Sequence, residues 1–323
     1  MPDHRGSTAP FRMFFPATSA NLGPAFDVAA LAFNFGLRVQ ATPAPGFSLI
    51  ASGRNADLCG RLDGNLLIDT YKKILQRESI ATIPLAVSVD NEIPLGMGCG
   101  SSAAAALAGV ALAVSFGGLE WTSDRIVSEA TACEGHPDNV AASWYGGVVM
   151  ARSIGNLRED PTPTVRVLPI PLSVPWPLLL AIPDNPLATS EARRVLPGLY
   201  SRVDLVHNVQ SAMLLVMALT QGRGEWLREA LSDRVHHPYR AQLCPLLPAL
   251  SELAGGDGML GVALSGAGPA VLLFLDPEAE HQQVCTRVEE QLAMAGLKAE
   301  LRLAAISATG AKDSLPLTAV ATR

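Results

Sequence analysis

The sequence predicts an α+β protein built as two blocks. Short runs with apolar residues at every second position lie among longer runs with apolar residues every three or four. A stretch dense in proline separates a first block of this kind from a second. At roughly 100–200 residues per domain, 323 residues also suggest two domains. Hydrophobic residues make up 49% of the chain and charged residues 17%, below the roughly 25% usual for soluble domains. Such a chain fills a sizeable core, which excludes a disordered or linker-like protein.

In the first block, Leu37, Val39 and Ala41 alternate with Arg38 and Gln40, and Leu85, Val87 and Val89 alternate with Ala86 and Ser88. Both runs read as half-buried strands. Residues 64–75 carry Leu67, Tyr71 and Ile74 at helical spacing. Residues 101–116 are rich in alanine and open on two serines, a good helix start. A third helix is expected over 122–132, with Asp124 in its first turn. Residues 155–177 hold Pro161, Pro163, Pro169, Pro171, Pro175 and Pro177, which argues against long regular structure and marks the boundary, with room for strand edges. Beyond it, 178–182 is a short buried strand, and 204–219 and 225–235 read as helices. Residues 260–264 and 271–275 flank a glycine-rich turn as a hairpin. Val284, Val288 and Leu292 line a helix stopping at Gly296, and 297–303 alternate as a last strand.

Charge and cysteine usage exclude several function classes. With 24 Lys and Arg against 30 Asp and Glu, the net charge is −6, and no basic block favours nucleic acid. The near-apolar stretch 103–114 is too short for the roughly 20 residues that a bilayer needs, so no membrane partner is expected. The first five residues are polar, unlike a signal peptide. Cys59, Cys99, Cys133, Cys244 and Cys285 are scattered without a Cys-x-x-Cys pair, which points to reduced thiols in a cytoplasmic protein.

The most informative stretch runs through Pro94, Leu95, Gly96, Met97, Gly98, Cys99, Gly100, Ser101, Ser102, Ala103 and Ala104. Three glycines at alternate positions let the backbone adopt unusual angles and approach a ligand closely. The serine pair then opens a helix, so backbone N–H groups and a positive helix end converge on one spot. This is a phosphate cradle, matching neither the lysine-containing P-loop nor the dinucleotide fingerprint. A valine at Gly98 is expected to block phosphate while leaving the fold mostly intact.

These eleven residues resemble the nucleotide loop of the galacto-, homoserine, mevalonate and phosphomevalonate (GHMP) kinase superfamily. Residues 15–27 (Phe-Pro-Ala-Thr-Ser-Ala-Asn-Leu-Gly-Pro-Ala-Phe-Asp) resemble the N-terminal signature of homoserine kinases. Residues 134–141 (Glu-Gly-His-Pro-Asp-Asn-Val-Ala) and 264–271 (Leu-Ser-Gly-Ala-Gly-Pro-Ala-Val) are similar to their second and C-terminal motifs. Residues 189–197 and 233–240 also read like that family. The motifs follow the family's order from residue 15 to about residue 275, covering most of the chain.

The resemblance implies a ribosomal protein S5 domain 2-like N-terminal domain over 1–172 and a ferredoxin-like C-terminal domain over 173–323. The activity implied is ATP:L-homoserine O-phosphotransfer, a step towards threonine, with ATP and Mg²⁺ as cofactors. The partner is the small-molecule substrate; a homodimer is left open. Residues 94–104 and Asn65 would contact the nucleotide, and Ser102 (or Ser101) with Glu134 the Mg²⁺, Glu129 competing for that role. Asp27 would meet the substrate ammonium and Asn21 its polar end. Arg193, Arg240 and Thr189 would hold the carboxylate, where guanidinium pairs bidentately. His136 and Asn139 would stand near acceptor and γ-phosphate, and with Arg193 form the catalytic set; no base is named. Without the resemblance, Asn21 and Asp27 read as turn residues, Asn65 as a helix cap, Arg193 and Arg240 as surface arginines, and 134–139 as a polar loop. Alternatives are another GHMP-type kinase, for mevalonate or a sugar, or a non-catalytic nucleotide-binding regulator. Ala25, Met97 and Cys99 depart from the family's usual Gly, Arg and Leu; Ala25 adds a methyl that reshapes the acceptor pocket.

Overall fold

A computed structural model describes residues 9–155 and 164–314. The polar N-terminal start, Pro161 and Pro163 lie outside those residues. The first sheet contains β1 (Phe11–Ala20), β2 (Ala29–Pro43), β3 (Ser48–Gly53), β4 (Leu85–Asn91), β5 (Val148–Ile154) and β6 (Thr164–Ile170). Its order is β3-β4-β2-β5-β6, with β1 also paired to β2. All pairs are antiparallel except β3 with β4. The alternation seen in the sequence at residues 37–41 is realised: Leu37, Val39 and Ala41 are buried, Arg38 and Gln40 exposed. Yet β2 is much longer than that run, because residues 29–33 are buried on both faces and carry no alternation.

Helices α1 (Ala56–Cys59), α2 (Leu66–Arg77), α3 (Ser101–Gly117), α4 (Ser123–Glu134) and α5 (Asp138–Tyr145) complete the first block. The alanine-rich α3 is its centre, with 13 of 17 residues buried. At Gly109 a side chain would strike the Leu67 carbonyl and Thr70 of α2, so small residues set how closely α2 and α3 approach.

The second sheet contains β7 (Pro177–Ile182), β8 (Met259–Leu264), β9 (Val271–Leu275) and β10 (Glu300–Ala305), ordered β10-β7-β9-β8. All its pairs are antiparallel, which is the ferredoxin-like arrangement. Its helices are α6 (Thr189–Arg194), α7 (Arg202–Gln221), α8 (Leu227–Ala230), α9 (His237–Arg240), α10 (Leu246–Ser251) and α11 (His281–Met294). One face of the sheet (Leu178, Leu180, Phe274) packs with α7 and α8 and is continuous with the first core. The other face (Leu179, Leu273, Leu275) packs on α10 and α11.

Three expectations change. The helix expected over 225–235 is a 3-10 turn at Gly224–Trp226 followed by α8, after which the chain breaks. There the Asp233 carboxylate accepts from the His236 and His237 N–H groups. The proline-dense stretch contains β6, which tolerates Pro169 as an edge strand paired only to β5. Among the described residues, α7, outside the near-apolar stretch 103–114, is the helix whose length and composition would suffice to cross a membrane. A cut at residue 172 falls between β6 and β7, but the chain returns after β10. Ser307 N–H donates to the Ala32 carbonyl at 2.9 Å. Arg302 of β10 pairs with Glu92 at 2.9 Å and lies 3.6 Å from the Phe35 ring centroid. These contacts fix the second sheet against the first, and the cleft described next lies between them.

Candidate active site

The loop between β4 and α3 forms one wall. Gly96, Gly98 and Gly100 have φ of 71°, 74° and 69°, whereas Met97 and Cys99 keep ordinary negative φ. Alternating signs of φ turn successive N–H groups to one side and make an anion nest. The N-cap of α3 is Gly100, with no side-chain cap. Among the described residues, no protein acceptor meets the N–H of Gly98, Gly100, Ser101 or Ser102. Free amides at a helix N-terminus favour an anion.

The glycines have a second role that the sequence did not reveal. A Cβ on Gly98 would collide with the Ser265 carbonyl, one on Gly100 with Thr18 Oγ1, and one on Gly96 with Pro186. The loop therefore needs glycine to let three other segments of the protein close on it. The Ser265 hydroxyl donates to the Gly98 carbonyl at 2.9 Å, and Gly266 N–H donates to the Ala20 carbonyl at 3.1 Å. Valine at Gly98 would thus break the contact between the two glycine turns, and the expectation of a mostly intact fold is corrected. Met97 and Cys99 place their side chains in the core, 8% and 1% exposed. Burial pushes the Cys99 thiol up to about 12.

The opposite wall carries side-chain charge. Between β1 and β2 the chain turns through Asn21, Leu22 and Gly23 with φ of 70°, 42° and 74°, and Asp27 follows at 56°. Asn21 holds this turn: its Oδ1 accepts from Asp27 N–H at 2.9 Å, and its Nδ2 donates to the Gly266 carbonyl at 2.7 Å. Asp27 and Arg193 form a bidentate pair, with N···O distances of 2.6 and 3.0 Å. Arg240, by contrast, is 1% exposed and, among the described residues, has no carboxylate in ion-pair range. Its Nε donates to the Ala192 carbonyl at 3.1 Å, and one Nη lies 3.2 Å from His236 Nδ1 and 3.4 Å from the Gly266 carbonyl. Burial lowers its pKa, as does the nearby Arg193 charge. The Phe26 ring is shared by both guanidinium groups, at 5.4 Å from Arg193 and 5.3 Å from Arg240.

The floor comes from α4 and α5. The Ser102 hydroxyl donates to Glu134. Burial raises the Glu134 pKa against that hydrogen bond and against the nearby His136. His136 Nδ1 lies 2.8 Å from Asp138 Oδ1, which also accepts from Asn139 N–H at 2.8 Å. Burial disfavours the charged imidazole, but Asp138 outweighs it and raises the His136 pKa. Asn139 Oδ1 accepts from Thr18 at 2.7 Å.

One cavity is lined jointly by Asn21, Asp27, Ser102, Glu134, His136 and Asn139, and also by Gly98, Gly100, Ser101, Thr189, Arg193 and Arg240. Segments over 200 residues apart in sequence meet there. Seven expected residues do not line it: Asn65, Pro94, Leu95, Met97, Ala103, Ala104 and Glu129. Glu129 is 3% exposed and bound by Arg77 and Arg125 at 2.8 and 2.7 Å, so its charge is already satisfied elsewhere. Asn65 caps α2, accepting from Ile68 N–H at 3.4 Å, and donates to the Cys59 carbonyl at 3.1 Å. Pro94, Ala103 and Ala104 are buried behind the loop, and Leu95 N–H reaches Asn55 at 3.5 Å. Phe26 and His236 were missed. Both fall inside motifs the sequence offered, but aromatic packing on an arginine leaves no local signature.

Fold and site are those of a small-molecule kinase, with free backbone amides facing a pocket of charged side chains across one cleft. The family models for the GHMP kinase N-terminal and C-terminal domains match residues 65–147 and 215–293. A homoserine kinase of Solibacter usitatus is 40% identical over 90% of this chain and 92% of its own. One from Synechocystis is 35% identical over 93% and 97%. Among solved structures, a homoserine kinase from Cytophaga hutchinsonii superposes with a TM-score of 0.78 at 24% identity, covering 93% of this chain and 96% of its own. The mevalonate kinase of L. major, at 15% identity, reaches 0.69 and covers 95% and 98%. The chain belongs to the homoserine kinase family of GHMP kinases.

Proposed function

We propose that the cleft transfers the terminal phosphoryl group of ATP to the side-chain hydroxyl of L-homoserine, giving ADP and O-phospho-L-homoserine. The observation that carries the substrate assignment is Arg240, a buried guanidinium that has no carboxylate in ion-pair range among the described residues. A buried charge is costly unless paired, and the α-carboxylate of an amino acid supplies the missing anion. Asp27 then receives the α-ammonium, so the zwitterion replaces the Asp27–Arg193 pair by two pairs of the same kind. A mevalonate or sugar acceptor has no ammonium for Asp27, and a non-catalytic regulator has no need of the whole set.

The free amides of the loop and the α3 terminus hold the phosphates. Glu134 and Ser102 offer hard oxygen donors, the type that Mg²⁺ takes in small number alongside phosphate oxygens. Bound there, the ion would neutralise phosphate charge. Burial raises the Glu134 pKa, and a bound cation would act against that by favouring the charged carboxylate. His136 and Asn139, fixed by Asp138 and Thr18, orient the acceptor hydroxyl against the phosphate; Thr189 closes the carboxylate end. Catalysis of this kind is positioning and charge stabilisation. We read residues 1–172 and 173–323 as two domains that supply the cradle and the clamp. The five free thiols suit a reducing, cytoplasmic setting.

ADP release with homoserine, mevalonate, galactose, threonine and serine tests the reading. Mg²⁺-dependent turnover with homoserine preferred is expected. A folded protein that turns over mevalonate but not homoserine would refute it.

A further inference from the structure

Arg240 is held by a side chain that the reaction described so far does not use. His236 is fully buried. Its Nε2 lies 2.8 Å from the carbonyl oxygen of Gly23, and a carbonyl can only accept, so Nε2 carries the hydrogen. Nδ1 is then a lone-pair acceptor, 3.2 Å from an Nη of Arg240. The backbone on either side is fixed by Asp233, whose Oδ2 accepts from His236 and His237 N–H at 2.8 and 2.6 Å. Asp233 Oδ1 in turn accepts from Asn208 at 2.7 Å. Phe26, the ring shared by both arginines, flanks the imidazole at 5.3 Å between centroids.

The two ends of this link bear on different parts of one substrate. Gly23 belongs to the turn that presents Asp27, while Arg240 belongs to the clamp. An α-amino acid carries its ammonium and carboxylate on one carbon, so the groups that read them must keep a fixed separation. A neutral acceptor suits this better than a carboxylate would. A carboxylate at this position would neutralise Arg240, whereas an imidazole nitrogen orients it and leaves the whole charge for the substrate. Burial, with the neighbouring His237, lowers the His236 pKa to about 3, which keeps that lone pair available.

We propose that His236, as the neutral Nε2–H tautomer, is a positioning residue that ties the Asp27 turn to Arg240 and thereby sets selectivity for the α-carboxylate. The inference rests on reading the cleft as an amino-acid site. The test is steady-state ADP release with homoserine and with its decarboxylated analogue, the amino alcohol that keeps hydroxyl and ammonium. Wild type, His236→Gln and His236→Asn are compared. In His236→Gln the amide reaches towards Gly23 and the acceptor for Arg240 is lost. KM for homoserine should rise about tenfold, the size of one charge-assisted hydrogen bond. kcat, KM for ATP and turnover of the amino alcohol should hold, so the preference for homoserine falls by the same factor. His236→Asn puts an acceptor oxygen where Nδ1 was and should recover most of that loss.

Equal losses on both acceptors, or an unchanged homoserine KM in folded His236→Gln, would overturn the proposal. A wild-type enzyme that does not distinguish the two acceptors would overturn the amino-acid reading instead. Nitrogen NMR of the wild-type imidazole needs no variant: a protonated Nε2 with bare Nδ1 at neutral pH is expected. The opposite tautomer or an imidazolium would overturn the proposal.

Discussion

The two walls of the cleft present different kinds of group. The loop wall offers backbone amides, arranged by three positive φ angles and a helix start, while the side chains of Met97 and Cys99 are turned into the core. The opposite wall offers side-chain charge, with Asp27, Arg193 and Arg240 brought in from three separate segments. A backbone site tolerates substitution of the side chains between its glycines but no Cβ at the glycines. A side-chain site fails when one charged group is removed, even where, as at Asp27, an unusual backbone angle presents that group. The contrast also explains the departures from the family's usual loop residues: Met97 and Cys99 change core packing and leave the cradle's amides in place.

The largest effect that would sharpen this contrast is expected at Gly100. Gly100→Val forces a branched residue to φ of 69° and into Thr18, which holds Asn139. Strain and overpacking together cost about 3 kcal/mol. Nucleotide titration should show binding lost, and denaturant unfolding a matching drop in stability. On the other wall, Arg193→Ala should lower kcat/KM for homoserine about tenfold, the size of one charge-assisted bond. KM for ATP should not move. Its stability cost stays below about 1 kcal/mol, because the Asp27–Arg193 pair is about a third exposed and screened by water.

A smaller effect should appear with pH. Burial lowers His236 to about 3 and His237 to about 4, against an ordinary value of about 6.5 in the unfolded chain. The unfolded chain thus binds more protons between those values, and stability falls as pH drops from about 6.5 towards 4. Unfolding midpoints taken across that window should decline, less steeply in His237→Gln than in wild type. Met97→Leu should do least: KM for ATP unchanged and stability within about 1.5 kcal/mol, as for a volume-conserving core change. A raised KM for ATP there would mean that the loop side chains take part after all.

How much of this was legible in sequence follows the same division. The loop, α3, the β8–β9 hairpin and the final helix were readable because each rests on local chemistry: glycine spacing, a serine start, alternating burial. The residues of the charged wall were readable only through resemblance to a family, since Asp27 and Arg193 are 166 positions apart and no local pattern links them. Three things escaped for physical reasons. β6 hid among prolines because an edge strand needs donors on one side only. The break after α8 depends on Asp233 capping backbone N–H groups that a helical pattern would have used. The need for glycine at positions 96, 98 and 100 comes from Pro186, Ser265 and Thr18, which only the folded chain brings near.

The division of labour between the walls is tested most directly by the steady-state kinetics of Arg240→Ala against both substrates, with melting curves alongside. Removing the buried guanidinium deletes a charge-assisted bond of roughly 1.5–3 kcal/mol. kcat/KM for homoserine should therefore fall between about tenfold and a hundredfold in folded protein, with KM for ATP unchanged. Homoserine kinetics that stay at the wild-type level, or ATP and homoserine parameters that fall together, would contradict the account.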